Sequence, residues 1–190
     1  MIWNLPNLLT WLRILAIPLV VVLFLLGAHR PHSVAYPLAG LLFALAAITD
    51  SLDGYLARRL GQITRLGAFL DPVADKLIVA VALVLIVSRD PRTLMVLTAA
   101  IIIGREIAIS ALREWMAGIG QRTAVAVSQI GKYKTILQMV GLTMLLFRAD
   151  LGPLPIYLIG QWLTVLAALL TLISMALYLR SAWPFLRAPT

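Results

Sequence analysis

Four aspartates lie close together in a chain that is otherwise mostly apolar. Asp50 and Asp53 are three residues apart, and Asp71 and Asp75 are four apart. On a helix, both spacings place the side chains on one face. Four bare carboxylates near a low-dielectric region would repel one another unless they were protonated, paired with arginine or bound to cations. Oxygen ligands without cysteine favour a hard divalent ion, Mg²⁺ or Mn²⁺, and four carboxylates have room for two ions.

A structural role would account for any one of these aspartates alone. A single acid at a helix end is usually just solvated. Asp71, which precedes Pro72, also suits a helix N-cap. The four together favour a functional site, because acids at membrane depth are expensive and usually serve a function.

The composition predicts that the elements carrying these acids are membrane helices. Of the 190 residues, 62% are hydrophobic and 13% are charged, and the mean hydropathy is +0.97. This balance excludes an ordinary soluble domain. Six apolar runs separated by breaker clusters predict an all-α bundle of six transmembrane helices, forming a single domain over residues 1–190. The runs are residues 14–28, 34–49, 68–88, 94–111, 135–147 and 156–179.

The distribution of lysine and arginine predicts the orientation. With six spans and both termini in the cytoplasm, twelve of the 16 basic residues fall on the cytoplasmic side and four outside, a clear positive-inside bias. The aspartates then face the cytoplasm. The net charge of +8 is better explained by anionic lipid head groups than by nucleic acid, which is not expected as a partner.

Small and basic residues extend the aspartate pattern. Gly54 and Ala57 leave a bare helix patch where a ligand can approach the backbone. Arg58 is well placed to meet a phosphate, and Gly67 allows close approach of a neighbouring helix. The whole string is D-x2-D-G-x2-A-R-x8-G-x3-D-x3-D.

This string resembles the signature of the CDP-alcohol phosphatidyltransferases, with every fixed position filled. The segments "NLPNLLTWLRI", "REIAISALREWMA" and "AVAVSQIGKYKTILQMV" are similar to the branch of that family whose acceptor is glycerol 3-phosphate. The likeness covers most of residues 2–141, and the last apolar run is generic. It implies transfer of the phosphatidyl group of CDP-diacylglycerol to glycerol 3-phosphate, with release of CMP, by a homodimer in a bacterial cell membrane.

The resemblance also implies residue roles. Asp50, Asp53 and Asp71 hold divalent metal, and Asp75 contributes to the metal site and acts as the general base. The cytidine nucleotide site falls on Asp53, Gly54, Ala57, Arg58 and Gly67.

Four further cations predict the acceptor site. They are Arg105, Arg113, Lys132 and Lys134, on the cytoplasmic side of the fourth and fifth runs. Arg105 and Arg113 are about two helix turns apart and share a face. Such a cluster suits a phosphate dianion, although lipid anchoring explains each cation alone. Thr10 borders the same pocket in this hypothesis, and Glu106 and Glu114 can pair with neighbouring cations or orient them.

Other functions remain open at this point. Within the family the acceptor could be inositol, an inositol phosphate, serine or a second phosphatidylglycerol, but a neutral acceptor would not need four cations. A cation-coupled transporter would be expected to carry acids or broken helices near the membrane midplane, often in an inverted repeat. Here the acids gather at one face. A purely structural membrane subunit would not need Gly54, Ala57 and Gly67 at these spacings.

Overall fold

The computed structural model describes residues 5–29, 34–60, 65–120 and 129–187; the side chains of 5–7, 51–60, 65, 68 and 129–132 lie outside the description. Within these residues the chain forms six α-helices, and its only β-pairing is an isolated bridge between Leu151 and Leu154. The helices are α1 (Leu5–His29), α2 (Ala35–Leu60), α3 (Arg65–Arg89), α4 (Thr93–Gly118), α5 (Gln129–Phe147) and α6 (Ile156–Leu186). The all-α class predicted from the apolar runs is confirmed.

Three helical segments in the described part of the chain are long and apolar enough to cross a membrane. They are Leu8–His29, Thr93–Gly118 and Ile156–Leu186, in α1, α4 and α6. Two shorter apolar stretches, Ala35–Asp50 and Tyr133–Phe147, belong to α2 and α5. These lengths and compositions are typical of a membrane protein.

The surface of the bundle is apolar while several polar side chains are buried. Leu15 is 64% exposed, Leu45 60% and Trp162 60%, whereas Thr164 and Thr171 on α6 are fully buried. In water, such a surface would drive aggregation. In a bilayer the exposed side chains meet lipid, and the buried hydroxyls can bond within their own helix, as Thr164 does to the carbonyl of Gly160.

The helices pack around one apolar core. Helix α1 packs against α2 and α3, α5 packs against α2 and α6, and α4 packs against α6 and α3. The core contains Phe24, Phe43, Ile86, Ile102 and Leu142, which come from five different helices. The sixth helix joins this core through Ala168.

Close packing of α5 against α6 depends on two glycines. A Cβ atom added to Gly141 would lie 2.5 Å from Oγ1 of Thr164, and one added to Gly160 would lie 2.7 Å from Cβ of Met144. Small residues of this kind let membrane helices approach closely. This contact fixes α6 beside α5, and the far end of α6 then reaches α4.

A polar network fastens the connection between α3 and α4 to α6. Arg92 donates from Nε and Nη2 to the two carboxylate oxygens of Asp90, each at 2.6 Å, and the Tyr157 hydroxyl donates to Asp90 Oδ2 at 2.6 Å. Arg92 Nη2 also donates to Gln161 Oε1 at 3.2 Å. This network lies beyond the end of α3 opposite to Asp71 and Asp75, so it anchors the bundle at the end away from the acids.

Candidate active site

Three of the four aspartates face one cavity of about 590 Å³. Asp50 reaches it from α2, and Asp71 and Asp75 reach it from neighbouring turns near the start of α3. All three side chains are half-buried. The packing of the helices therefore brings these three carboxylates to one cavity, as the helical spacing indicates, while their roles stay predictions.

Helix α1 supplies a cation and a hydroxyl to these carboxylates. Arg13 is 2% exposed, and its Nη1 lies 2.5 Å from Oδ1 of Asp50. Thr10 donates from Oγ1 to Oδ1 of Asp71 at 2.5 Å. Both contacts offset the repulsion among the acids. The predicted acceptor role of Thr10 stays a prediction, and the described contact of its hydroxyl is with a carboxylate.

A second cavity, of about 170 Å³, adjoins the first. The residues that line both are Asp75, Lys76, Arg105, Glu106 and Arg113. Lys134 and Tyr178 line the smaller cavity, and Glu114 lines the larger one. Carboxylates and cations thus line two adjoining cavities, where a cation and a phosphate anion can be bound side by side.

Glu106 holds two of the predicted acceptor cations. Lys134 donates from Nζ and Arg105 from Nη1 to the same oxygen, Oε1 of Glu106, each at 2.8 Å. Lys134 is 3% exposed, so its charge requires such a partner. The expectation that Glu106 pairs with neighbouring cations is confirmed. The three side chains together keep one net positive charge beside the cavity.

Helix α6 contacts the other side of the arginines. Arg105 donates from Nη2 to Oγ of Ser174 at 3.1 Å, and Arg113 donates from Nη2 to the hydroxyl of Tyr178 at 3.2 Å. The guanidinium carbons of Arg105 and Arg113 lie 5.9 and 5.4 Å from the centroid of the Tyr178 ring. The shared helix face predicted for Arg105 and Arg113 is thus directed towards α6 as well as towards the cavity.

Part of the predicted site lies outside the described residues. The side chains of Asp53, Gly54, Ala57 and Arg58 on α2 and of Lys132 on α5 are in this group. Gly67 is buried near the start of α3. The nucleotide and acceptor roles of these residues stay predictions.

Arg13, Ser174 and Tyr178 are site residues that sequence patterns alone do not single out. In the sequence, Arg13 counts only among the cytoplasmic basic residues, and the last apolar run is generic. A signal was present in both places. Thr10 and Arg13 are three residues apart, and α6 carries buried polar residues at helical spacing. These are Gln161, Thr164, Thr171, Ser174 and Tyr178.

The donor chemistry of the larger cavity fits a hard divalent cation. Asp50, Asp71 and Asp75 offer only carboxylate oxygens, which Mg²⁺ and Mn²⁺ prefer. Among the described residues, no three carboxylate or histidine side chains lie close enough to form a metal site by themselves. The side chain of Asp53, the fourth predicted ligand, lies outside the described residues. The three aspartates therefore fit a divalent cation in two respects: they offer oxygen donors, and they face the same cavity.

Comparison with known proteins defines the class of this site. The family model described as CDP-alcohol phosphatidyltransferase matches residues 3–178, and the chain belongs to this family. The match includes α6 as far as Tyr178, so the last helix is part of the family domain. This corrects the view that the likeness ends near residue 141.

Curated relatives carry a more specific name. Proteins of Salmonella choleraesuis (strain SC-B67) and Shigella flexneri serotype 5b (strain 8401) are each 50% identical to this chain over 180 residues, which is 95% of both chains. A protein of Pseudomonas fluorescens is 50% identical over 185 residues, 97% of this chain and 92% of its own length. All three are named CDP-diacylglycerol–glycerol-3-phosphate 3-phosphatidyltransferase.

Proposed function

We propose that this protein transfers the phosphatidyl group of CDP-diacylglycerol to sn-glycerol 3-phosphate, giving phosphatidylglycerophosphate and CMP. The free primary hydroxyl of the acceptor forms the new P–O bond to the phosphorus that carries diacylglycerol. The anhydride bond to the cytidine phosphate breaks, CMP leaves with the bonding electron pair, and the hydroxyl proton passes to a base. This reaction is the one in the names of relatives that are 50% identical over nearly the whole chain.

One observation supports this function above the others: the carboxylates and the acceptor cations line two adjoining cavities that share five lining residues. The acidic part offers Asp50 and Asp71, and the basic part offers Arg105, Arg113 and Lys134. Phosphatidyl transfer needs a bound diphosphate and a bound acceptor phosphate within reach of each other. Orienting the two reactants in this way is a large part of the catalytic gain in such reactions.

Asp75 is the proposed base because of its position. Among the described residues it is the one aspartate that lines both cavities, while Asp50 and Asp71 line only the larger one. A carboxylate at this boundary can accept the proton of an acceptor hydroxyl that arrives from the basic side. Lys76, the next residue, also lines both cavities.

The remaining binding roles follow from residue type. Asp50, Asp53, Asp71 and Asp75 would hold two divalent ions, Mg²⁺ or Mn²⁺, which when bound withdraw electron density from the diphosphate. Gly54, Ala57, Arg58 and Gly67 would accept the cytidine nucleotide with Asp53. Arg105, Arg113, Lys132 and Lys134 would bind the phosphate of the acceptor, with Thr10 as a further residue of that subsite.

The proposal includes a membrane arrangement. All six helices span a bacterial cytoplasmic membrane, both termini and the site face the cytoplasm, and the whole chain is one domain that works as a homodimer. The positive-inside distribution supports this orientation. The apolar surface of the helices lets the acyl chains of CDP-diacylglycerol remain in the bilayer during the reaction.

The function is tested by CMP release from purified protein with CDP-diacylglycerol and Mg²⁺. The acceptors compared are sn-glycerol 3-phosphate, glycerol, inositol, inositol phosphate and serine, each with and without EDTA. We expect rapid CMP release only with sn-glycerol 3-phosphate and only without EDTA. Release with a different acceptor would assign another branch of the family, and release with none would refute phosphatidyl transfer.

A further inference from the structure

Tyr178 contacts both arginines of the acceptor side. Its ring lies within 6 Å of the guanidinium carbons of Arg105 and Arg113, and its hydroxyl accepts a hydrogen bond from Arg113. Tyr178 is 6% exposed. Cation–π contacts at such distances are attractive, and they strengthen when the groups are withdrawn from water.

Ser174, one turn earlier on α6, completes this arrangement. Its hydroxyl donates to the carbonyl of Thr171 at 2.9 Å, which leaves its oxygen free to accept from Arg105 Nη2 at 3.1 Å. Ser174 is 1% exposed. Helix α6 therefore gives each arginine one hydrogen bond and gives both of them a shared aromatic face.

These contacts bear directly on phosphate binding. Two guanidinium groups beside one cavity repel each other, and each has a long side chain that must be ordered before it can hold an anion. An arginine already fixed in orientation loses less entropy when its planar fork meets a phosphate. Glu106 orients Arg105 from one side, while Ser174 and Tyr178 orient Arg105 and Arg113 from the other.

We propose that Tyr178 and Ser174 are positioning residues that set the specificity of this site for a phosphate-bearing acceptor. They act through Arg105 and Arg113, whose forks they hold in the orientation that receives the phosphate. The inference rests on the proposed function, because it assumes an acceptor that carries a phosphate. It extends that function because it adds two residues of α6, Ser174 and Tyr178, to the acceptor subsite.

Packing is the competing explanation for Tyr178. The residue belongs to a small apolar cluster that joins α4 to α6, with Ile109, Met116 and Ala182. If Tyr178 only packs, its loss should weaken the fold and impair both substrates together. If it positions the arginines, the Michaelis constant KM of the phosphate acceptor should rise while that of CDP-diacylglycerol stays the same.

The test measures both KM values for Tyr178→Phe, Tyr178→Leu, Ser174→Ala and Ser174→Thr. Tyr178→Phe keeps the ring and loses the hydroxyl, so KM for sn-glycerol 3-phosphate should rise about threefold to tenfold. Tyr178→Leu also loses the cation–π contacts, so the KM for sn-glycerol 3-phosphate should rise about tenfold to a hundredfold. Ser174→Ala should resemble Tyr178→Phe, and Ser174→Thr, which keeps a hydroxyl, should stay near wild type.

Two matched controls separate positioning from general damage to the bundle. Tyr133→Phe removes a hydroxyl from a tyrosine that is 67% exposed on α5. Ser181→Ala removes an exposed hydroxyl that donates to the carbonyl of Leu177 within α6. Both controls should leave the two KM values within about twofold of wild type, a change of less than 0.5 kcal/mol in apparent affinity.

The pattern of KM changes in these variants decides whether Tyr178 and Ser174 position the arginines. A rise in the acceptor KM alone, graded from Phe to Leu, supports positioning. An unchanged acceptor KM in Tyr178→Leu, or an equal rise in both KM values, overturns it. If Tyr178→Leu does not fold, Tyr178→Phe and Ser174→Ala decide by the same criterion. If the wild type accepts only phosphate-free alcohols, the proposed function fails first, visibly in the unaltered protein, and the inference falls with it.

Discussion

The Nη1 atom of Arg13 lies 2.5 Å from Oδ1 of Asp50, so that α1 brings a buried cation to the acidic side of the cavity. The side chain of Arg13 is 1% exposed and that of Asp50 is 34% exposed. A buried cation of this kind is stable only with a partner. The ion pair therefore links the packing of α1 to the charge of the proposed active site.

Arg13→Gln should destabilise the protein as well as reduce its activity. The loss should be about 2–3 kcal/mol, below the range for a fully buried pair because Asp50 retains some access to solvent. Thermal unfolding in detergent micelles measures this change. Arg89→Gln, at an exposed arginine near the other end of α3, is the matched control. Equal unfolding temperatures for the two variants would show that the ion pair contributes nothing.

Asp75→Asn should slow the chemical step much more than it weakens substrate binding. The amide keeps the shape of the side chain but cannot accept the acceptor proton, so kcat should fall about a hundredfold or more. Single-turnover CMP release gives the chemical rate, and equilibrium binding of CDP-diacylglycerol gives the affinity. Normal turnover of bound substrate, combined with lost affinity, would make Asp75 a ligand and not the base.

Arg113→Lys should raise the KM for sn-glycerol 3-phosphate although the charge is kept. A lysine cannot reproduce the bidentate fork of a guanidinium, and it cannot maintain the hydrogen bond to Tyr178 in the same geometry. The expected rise is about tenfold, the loss of one charge-assisted hydrogen bond. Steady-state kinetics with each substrate varied in turn measures it. An unchanged KM would leave Arg113 as an ordinary lipid-side cation.

Asp90 should make stability depend on pH between about 4 and 2. Hydrogen bonds from Arg92, and to a lesser degree from Tyr157, hold the pKa of Asp90 at about 2, below its usual 3.8. Because the pKa is lower in the folded state, the stabilisation is fully present above about pH 4 and is lost as the pH falls through 2.

Asp90→Asn should therefore lower the free energy of unfolding at neutral pH by about 1–3 kcal/mol, so that the variant unfolds at a lower temperature than wild type. The difference in unfolding temperature should shrink as the pH is lowered from 4 to 2. Asp150→Asn, at an exposed aspartate beyond α5, should show neither effect. A difference that does not change with pH would show that the ionised carboxylate of Asp90 is not what stabilises the network.

The helical class could be predicted from sequence because six apolar runs separated by breaker residues leave few other folds open. The grouping of Asp50, Asp71 and Asp75 could also be predicted, since helical spacing and a short connection dictate it. The local sequence pattern was sufficient to predict both the helical class and the grouping of the aspartates. The pairing of Glu106 with neighbouring cations followed from sequence adjacency in the same way.

The contributions of α1 and α6 to the site could not be predicted so directly. Arg13 meets Asp50, and Tyr178 meets Arg113, only because of how distant helices pack. In the sequence, the one signal for these contacts is polar residues at helical spacing within an apolar run. Such residues are equally compatible with bonds inside their own helix, as Thr164 shows.

In the proposed reaction the hydroxyl of sn-glycerol 3-phosphate attacks the phosphatidyl phosphorus and CMP leaves. This claim is tested with acceptor carrying ¹⁸O at its primary hydroxyl, with lipid product and nucleotide analysed by mass spectrometry. The predicted result is phosphatidylglycerophosphate that retains the ¹⁸O and unlabelled CMP in equal amount. Labelled nucleotide, or CMP formed without phosphatidylglycerophosphate, would contradict the claim.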